Sequence, residues 1–249
     1  MATPWAAGPW DTGYCHGGAV AGLLARVGAD VPTRVEMGLA RLTMDLFAPV
    51  PIGQPISPRV QVEKDGARVQ HLRVELLVHE RIVATGILLR VRAEPPNRAH
   101  LKTPEVDPAQ AVRGAPGGFA NSFDTVAERG GIALKGPGRV WFRLAAPLIE
   151  EEPVDLVAYA VAVADFSSAI GMSRDYRRYS FPSVDLTVGL ARAPVNDWML
   201  VDASNHDSDL GRATCHSVLS DAQGPFARVV QTNFVEERAV ALTEAVRVA

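Results

Sequence analysis

The sequence of 249 residues has no surplus of positive charge and no long run of apolar residues. Lys and Arg together number 25 against 28 Asp and Glu, which gives a formal net charge of −3, and the basic residues are scattered. Binding to nucleic acid or to an anionic membrane usually needs a cluster of basic residues. A helix that crosses a membrane needs about 18 or more consecutive apolar residues. We therefore expect no nucleic-acid partner and no insertion into a membrane.

Cysteine is also scarce. The two cysteines, Cys15 and Cys215, form no C-x-x-C motif and no cluster of metal ligands, so the sequence predicts no metal site. They are expected to be reduced thiols of a cytoplasmic protein. The first residues lack the basic and apolar regions of a secretory signal, which favours the same location.

The first half of the sequence contains one helix pattern followed by a series of strand patterns. Residues 16–30, HGGAVAGLLARVGAD, have the apolar spacing of a helix, and Gly28 is the signal that ends it. Four apolar segments follow up to residue 93, and the third alternates strictly between two faces. Short turns such as KDGA and HER separate neighbouring segments, which favours antiparallel pairing. The first unit is therefore predicted to be a helix with an antiparallel sheet.

The same order of elements returns in the second half. Residues 95–138 are rich in Pro and Gly and weakly periodic, so we interpret them as a connection between two domains, residues 1–94 and 139–249. A strand pattern then precedes residues 153–171, which are apolar on nearly all sides and predict a buried helix. Further strand patterns follow, as in the first half.

The two halves align with an almost constant offset. Matching Leu42 to Leu186 gives an offset of 144 residues (186 − 42), and matching Ala84 to Ala227 gives 143 (227 − 84). This self-similarity indicates a duplicated unit. A helix wrapped by an antiparallel sheet, present twice, predicts an α+β fold whose two sheets join edge to edge.

Two polar residues distinguish the second copy from the first. Asp185 lies in a strand pattern, SVDLTVGL, although Asp is rare in strands because its side chain competes for backbone hydrogen bonds. Gln231 falls on the apolar face of its strand, where a buried amide needs partners. Their counterparts in the first half are Arg41 and Leu88. The second half is therefore predicted to carry a site, although a solvated strand carboxylate is an alternative interpretation of Asp185.

Three segments carry a resemblance to a known family. They are YCHGGAVAGLLARV at the first helix, FPSVDLTVGLARAPVNDWMLVDASN in the second half and GPFARVVQTNFV near the end. In this order they resemble the double-hotdog acyl-CoA thioesterases of the type II, medium-chain class. The resemblance covers most of the chain apart from the connection. It implies a tandem, or double, hotdog, in which each of two helices is wrapped by a curved antiparallel sheet.

The resemblance also implies an activity in fatty acid metabolism, the hydrolysis of acyl-CoA by a water that an Asp, a Gln and a hydroxyl residue activate. Carried over to this sequence, the Asp is Asp185 and the Gln is Gln231. The third position falls on His206, or on Asn205 if the strand is shifted by one residue, and neither has a hydroxyl group; Ser204 is the nearest residue that does. No metal or redox cofactor is implied, because CoA is part of the substrate.

The His16-Gly17-Gly18 sequence offers a second kind of chemistry. The first N–H groups of a helix have no partner within the helix, and the positive end of the helix dipole lies there. In hotdog pairs the start of one helix faces the strands of the other unit. We therefore expect Gly17 and Gly18 to bind the thioester oxygen, and His16 to line the substrate pocket or to cap the helix. A glycine-rich entry that only permits close packing is the alternative.

Asp165 is an acidic residue inside the apolar helix pattern. We expect a structural carboxylate that faces the strands of the first half and bonds to nearby backbone groups, since a buried carboxylate needs partners. A catalytic acid is the alternative, because some single-hotdog thioesterases place their acid on this helix. Cys15 and His16 are adjacent in sequence, and such neighbours on a helix do not face each other. They are therefore not favoured as a nucleophile and its base.

Two other functions remain open from the sequence alone. A hydratase or dehydratase acting on enoyl-CoA or 3-hydroxyacyl-CoA would need an Asp and a His on one unit, which Asp185 and His206 could provide. A non-catalytic acyl or lipid carrier would bind acyl-CoA without turnover. In each case exposed sheet edges favour a homo-oligomer.

Overall fold

The first unit of the protein is one helix followed by four strands. The computed structural model describes residues 1–93, 106–113 and 118–238. The elements of the first unit are α1 (Gly17–Ala29), β1 (Met37–Leu46), β2 (Ser57–Asp65), β3 (Val69–Val78) and β4 (Arg81–Arg92). Helix α1 begins after His16, whose ring nitrogen Nδ1 accepts a hydrogen bond from the N–H of Gly18 and so caps the helix. The predicted helix and the four predicted strands of this half are confirmed.

The second unit repeats this order and adds strands before its helices. Its elements are β5 (Val112–Arg113), β6 (Phe123–Arg129), β7 (Gly138–Leu144), α2 (Leu156–Ala164), α3 (Ser167–Gly171), β8 (Tyr179–Ser180), β9 (Asp185–Leu190), β10 (Trp198–Asp207), β11 (Arg212–Asp221), β12 (Gly224–Phe234) and β13 (Glu236–Glu237). The single helix predicted over 153–171 is wrong, because the chain turns at Asp165 and Phe166 and forms two helices.

The predicted connection, residues 95–138, contains part of the second unit. Strand β6 pairs with β7 along its length, and the short β5 pairs with β6. The interpretation of this whole segment as a connection is therefore wrong from β5 onward. Pro and Gly are frequent in this segment, and the alternating pattern of β6 is too short to be recognised as a strand among them. Within the predicted connection, residues 95–105 and 114–117 lie outside the described residues.

The sheets of the two units form one continuous antiparallel sheet of eleven strands. The strand order is β2-β3-β4-β1-β9-β12-β11-β10-β7-β6-β5, so β1 and β9 make the junction. Thr43 and Thr187 lie directly opposite each other there, and their hydroxyl oxygens are 3.3 Å apart. These two residues also differ by 144 in number (187 − 43). The duplicated unit, the α+β tandem hotdog and the edge-to-edge junction are thus confirmed.

The two long helices pack against each other inside the curved sheet. Every residue from Ala158 to Ala164 is buried, as expected for a helix that is apolar all round. On α1 the contact is made by glycines, since a Cβ atom at Gly18 would overlap the carbonyl oxygen of Ala162, and one at Gly22 would lie 3.0 Å from the Ala162 side chain. This close approach brings the start of α1 beside the end of α2. Among the described residues, no helix is long and apolar enough to cross a membrane.

Candidate active site

Asp165 occupies the break between α2 and α3. Helix α2 ends at Ala164, and Asp165 follows it as the C-cap, with helical backbone angles. Its residue surface is 3% exposed, so the carboxylate is buried in an otherwise apolar region. A buried carboxylate has to be compensated by hydrogen bonds or by a positive charge. Its surroundings supply such partners from three different elements.

Ser183 and Gln231 bind one oxygen of this carboxylate. The hydroxyl of Ser183 donates to Asp165 Oδ1 over 2.8 Å, and the side-chain amide of Gln231 also donates to Oδ1. The same Gln231 nitrogen, Nε2, donates to the Ser183 oxygen over 2.7 Å. The three side chains therefore form a closed hydrogen-bonded triangle. We call Asp165, Ser183 and Gln231 the polar triad.

The orientation of the Gln231 amide is fixed by a backbone group. Its Oε1 accepts a hydrogen bond of 3.1 Å from the N–H of Ser168, near the start of α3. A backbone N–H can only donate, so the other end of the amide, Nε2, must face Asp165 and Ser183. Gln231 is fully buried in β12, between Val229 and Asn233 on the same strand face. The prediction that Gln231 faces the interior is confirmed.

Ser183 reaches the triad because the strand pattern is interrupted just after it. The chain bends at Val184, before β9 begins at Asp185, and Ser183 makes only an isolated bridge to Asn233 of β12. Strict alternation would place Ser183 and Asp185 on one face. The bend turns Ser183 inward, whereas Asp185 stays on the outer face of the sheet.

The start of α1 covers the second oxygen of the Asp165 carboxylate. His16 Nδ1 lies 2.9 Å from Asp165 Oδ2, and a Cβ atom at Gly17 would lie 2.8 Å from that oxygen. Only glycine leaves room for the carboxylate at this position. The N–H of Gly17 has no hydrogen-bond partner in the described part of the chain, as is common at the first position of a helix. The positive end of the α1 dipole therefore faces a buried anion.

A cavity of about 1050 Å³ opens onto this group of residues. Its wall includes His16, Gly17, Asp165 and Ser183, and the rest is mainly apolar and aromatic. The apolar part is contributed by the N-terminal segment, the turn after β1, α3 and the segment before β9. Sites for small molecules are usually of this kind, a largely apolar cleft with a few convergent polar groups. Asp165, Ser183 and the start of α1 form the polar end of the cavity, and the buried Gln231 lies behind them, bonded to both.

Comparison with known proteins identifies the family. Residues 6–91 match the model of an acyl-CoA thioesterase N-terminal domain, and residues 97–235 match that of an acyl-CoA thioesterase C-terminal domain. The chain belongs to the acyl-CoA thioesterase family. It is a member of a family of hydrolases that act on thioesters, and the resemblance found from the sequence is confirmed.

Solved structures of a hot dog fold protein and of TesB proteins share the fold of this family member. A hot dog fold protein from Alicyclobacillus acidocaldarius superposes with a TM-score of 0.73 at 18% identity, over 92% of this chain and 90% of the other. The acyl-CoA thioesterase II TesB2 from Mycobacterium marinum gives 0.69 at 19% identity, over 90% of each chain. The tesB protein of Mycobacterium avium subs paratuberculosis gives 0.66 at 16% identity, over 92% and 91%. A comparison with curated proteins gives no significant match.

The structure separates Asp185 from Gln231, although the sequence predicted that they act together. Asp185 is on the outer face of β9, where its Oδ1 accepts a hydrogen bond of 2.6 Å from the N–H of Thr232. Its cross-strand neighbour is the exposed Asp45. Gln231 is on the inner face, and Asp185 does not line the cavity. The placement of Asp185 in the site is therefore wrong, because the two side chains lie on opposite faces of the sheet.

The residues predicted for the third position also lie elsewhere. His206 is exposed near the end of β10, and Asn205 accepts a hydrogen bond of 3.1 Å from the N–H of Ser173. Ser204 lies 2.9 Å from His216 on the next strand. None of the three β10 residues lines the cavity. The hydroxyl group bonded to Gln231 is that of Ser183, two residues before Asp185.

Of the residues expected at the start of α1, His16 and Gly17 line the cavity and Gly18 does not. The N–H of Gly18 is already bound by His16 Nδ1, over 3.0 Å, and Gly18 packs against α2. The expectation that Gly18 binds substrate is therefore wrong. Cys15 lines the cavity as well, but burial raises the pKa of its thiol to about 11, which keeps it protonated and a poor nucleophile.

The corresponding place in the first unit is filled by a hydrocarbon side chain. Leu88, the counterpart of Gln231, is 1% exposed and occupies the space that a Cβ atom of Gly28 would need. The prediction that the second half holds the polar site is consistent with this packing. The expectation that Asp165 faces the first-half strands is wrong, because its strand partners Ser183 and Gln231 belong to its own unit. Its contact with the first half is with His16 and Gly17 at the start of α1.

Proposed function

We propose that this protein hydrolyses acyl-CoA thioesters to the free acid and CoA, with a water held by the polar triad as the nucleophile. Asp165 is the base, Ser183 and Gln231 orient its carboxylate, Ser183 also contacts the water, and the thioester lies in the cavity. The observation that carries the proposal is the closed set of hydrogen bonds among three side chains at the polar end of an apolar cavity.

The reaction needs a proton acceptor, a place for the developing negative charge and a proton for the leaving group. Asp165 takes a proton from the water as the water oxygen attacks the carbonyl carbon of the thioester. The carbonyl oxygen gains negative charge, and the free N–H of Gly17 at the positive end of α1 is placed to stabilise it. When the C–S bond breaks, the CoA thiolate receives the proton from Asp165. One water is consumed, and the carboxylate is regenerated.

The apolar wall supports an acyl group as the part of the substrate that enters the cavity. The aromatic residues of the wall include Trp10, Tyr176 and Phe181, whose rings contact one another. Such a surface favours a hydrocarbon chain through burial of apolar area, at roughly 25 cal/mol per Å². The described wall includes no Lys or Arg, so the anionic part of CoA is expected to stay outside this cavity.

A covalent route through Ser183 is the alternative that must be separated from water attack. Release of CoA from a panel of acyl-CoAs should be measured for wild type, Ser183→Ala and the surface control Ser204→Ala. Loss of one hydrogen bond to a charged group should lower kcat about ten- to a hundredfold in Ser183→Ala, because Asp165 still holds the water and Gln231 still orients Asp165. The control should match wild type.

Intact mass spectrometry during turnover completes the test. Water attack predicts no acyl adduct on the enzyme and one oxygen from labelled water in the product acid. An acyl group attached to Ser183, together with complete inactivity of Ser183→Ala, would overturn the role of water. Saturable binding of acyl-CoA with no turnover by wild type would overturn the proposed hydrolysis itself.

A further inference from the structure

His16 faces two groups that compete for one ring nitrogen. Its Nδ1 is 3.0 Å from the N–H of Gly18, which points at it, and 2.9 Å from Asp165 Oδ2. An imidazole nitrogen either accepts a hydrogen bond through its lone pair or carries a proton and donates. Without a proton between them, Nδ1 and a carboxylate oxygen at this distance would repel each other. A proton must therefore lie between His16 and Asp165, either on the nitrogen or on the oxygen.

The other partners of the Asp165 carboxylate bind Oδ1 and leave Oδ2 for His16. Ser183 and Gln231 both donate to Oδ1, so Oδ2 is the oxygen that His16 faces. The His16 side chain is 10% exposed, and its ring packs against Phe119 and Phe166, with centroid distances of 5.1 and 4.9 Å. The ring is thus held in place by packing.

His16 is also the group that can offset the charge of Asp165 with a positive charge of its own. No Lys or Arg is among the described residues of the cavity wall. The remaining titratable groups there are Asp11, Tyr14, Cys15 and Tyr176, which are neutral or negative when they titrate. Asp185, on the neighbouring strand, faces the other side of the sheet. A buried carboxylate without a cation nearby is strongly disfavoured unless it takes up a proton.

We propose that His16 is a positioning residue for Asp165: one proton is shared between His16 Nδ1 and Asp165 Oδ2, and the pair holds the carboxylate in the orientation and the ionised form that accept a proton from water. When the proton is on His16, Nδ1 donates to Asp165 and no longer accepts from Gly18, and Asp165 is ionised and competent as a base. The inference rests on the proposed hydrolysis, in which Asp165 is that base. It assigns to the first unit a direct influence on the chemistry of the second.

The test is the pH dependence of turnover in His16→Ser. A serine at the N-cap still accepts a hydrogen bond from the helix N-terminus, so the capping role of His16 is kept while the imidazole is lost. Its hydroxyl is too short to replace the ring beside Asp165. The matched control is His216→Ser, which removes an exposed histidine of β11. Circular dichroism and thermal unfolding establish that both variants are folded.

The expected result is a change in kcat and in the acid limb of the kcat/KM profile. Without the donor at Oδ2 the ionised carboxylate loses one hydrogen bond, so the acid limb should move to higher pH. At pH 6 the rate of His16→Ser should fall at least about tenfold, with a smaller change in KM and partial recovery at pH 8.5. The control should follow wild type at every pH.

Two results separate the failure of this inference from failure of the proposed function. Wild-type kcat and an unchanged pH profile in His16→Ser, with Asp165→Asn inactive, would overturn the role of His16 alone. If Asp165→Asn turns over normally, the proposed base is wrong and the pair has no catalytic role.

A second measurement applies if His16→Ser does not fold. In ¹⁵N NMR of the wild type, the Nδ1 signal of His16 should be that of a protonated nitrogen at pH 7 and should change in Asp165→Asn. An Nδ1 signal of an unprotonated nitrogen that Asp165→Asn leaves unaltered would overturn the shared proton.

Discussion

Replacing Gly17 by Ala would place a methyl group against the Asp165 carboxylate. A Cβ atom at this position would lie 2.8 Å from Asp165 Oδ2 and 3.1 Å from both Cγ and Oδ1. Nonbonded heavy atoms are in favourable contact at about 3.5 Å, so the carboxylate would have to move away by roughly 0.5 Å. It is held by Ser183 and Gln231, and such a shift would distort both hydrogen bonds.

Gly17→Ala is expected to lower kcat, with little change in the free energy of unfolding. A misplacement of about 1 Å in an active site can lower the rate about a hundredfold, so a shift of half that size should lower kcat roughly tenfold. The free energy of unfolding should change little. Alanine is favoured over glycine in a helix by about 1 kcal/mol, which offsets an overpacking cost of about the same size.

Two other glycines provide the controls. Gly38 in β1 has no atom within 4 Å of its would-be Cβ, so Gly38→Ala should leave both kcat and stability close to wild type. Gly18→Ala would press on the Ala162 carbonyl of the partner helix and should lower the free energy of unfolding by about 1–3 kcal/mol. CoA release and urea denaturation measure the two effects. If Gly17→Ala had the same kcat as Gly38→Ala, the placement of Asp165 under the start of α1 would be refuted.

Three further predictions concern an ion pair and the two thiols. Burial opposes ionisation of Asp221, but hydrogen bonds from Arg192 and from two backbone N–H groups hold its pKa below the ordinary value. Because the folded pKa is the lower one, this contribution to stability is complete above about pH 4 and is lost as the pH falls through the folded value. Arg192→Met should therefore lower the free energy of unfolding at pH 7 by about 3–5 kcal/mol in urea denaturation, and a loss below about 1 kcal/mol would contradict a buried pair. Burial raises the pKa of Cys15 to about 11 and that of Cys215 to about 12, so neither should react with a thiol reagent at pH 8 until the protein is denatured; rapid labelling of the native protein would disprove this. Cys15→Ala should keep wild-type kcat, whereas an inactive but folded variant would point to a thiol nucleophile.

The fold could be predicted from the sequence because it is repeated. Two helices and two sets of alternating strands occur in the same order, and each copy supports the interpretation of the other. Gln231 could be placed in the interior by the same alternation, and its replacement by Leu88 in the first copy marked the half that carries polar groups. The strand β6 was missed because a short strand among prolines and glycines has too few residues for a clear period.

The alternation of buried and exposed strand residues that placed Gln231 in the interior could not identify Asp165, the acidic residue of the site. By strand alternation, Gln231 lies on the same face as the buried residues of its strand, whereas Asp185 lies on the face opposite to the buried residues of its strand. The alternation alone therefore conflicts with a site that contains both. Asp165 reaches the site because the helix breaks there, and Ser183 because the chain bends at Val184. Neither irregularity has a period, so local patterns do not reveal them. The one available signal was Asp165 itself, a carboxylate in a wholly apolar helix.

The most direct measurement of the central claim is CoA release by Asp165→Asn beside Asp185→Asn. Both variants replace an acid of the second unit by its neutral isostere, but one carboxylate lies in the polar triad and the other on the outer face of β9. Asp165→Asn should lose at least about a thousandfold in kcat while it still binds acyl-CoA, and Asp185→Asn should turn over like wild type. The reverse result, an active Asp165→Asn and an inactive, folded Asp185→Asn, would contradict the assignment of the site.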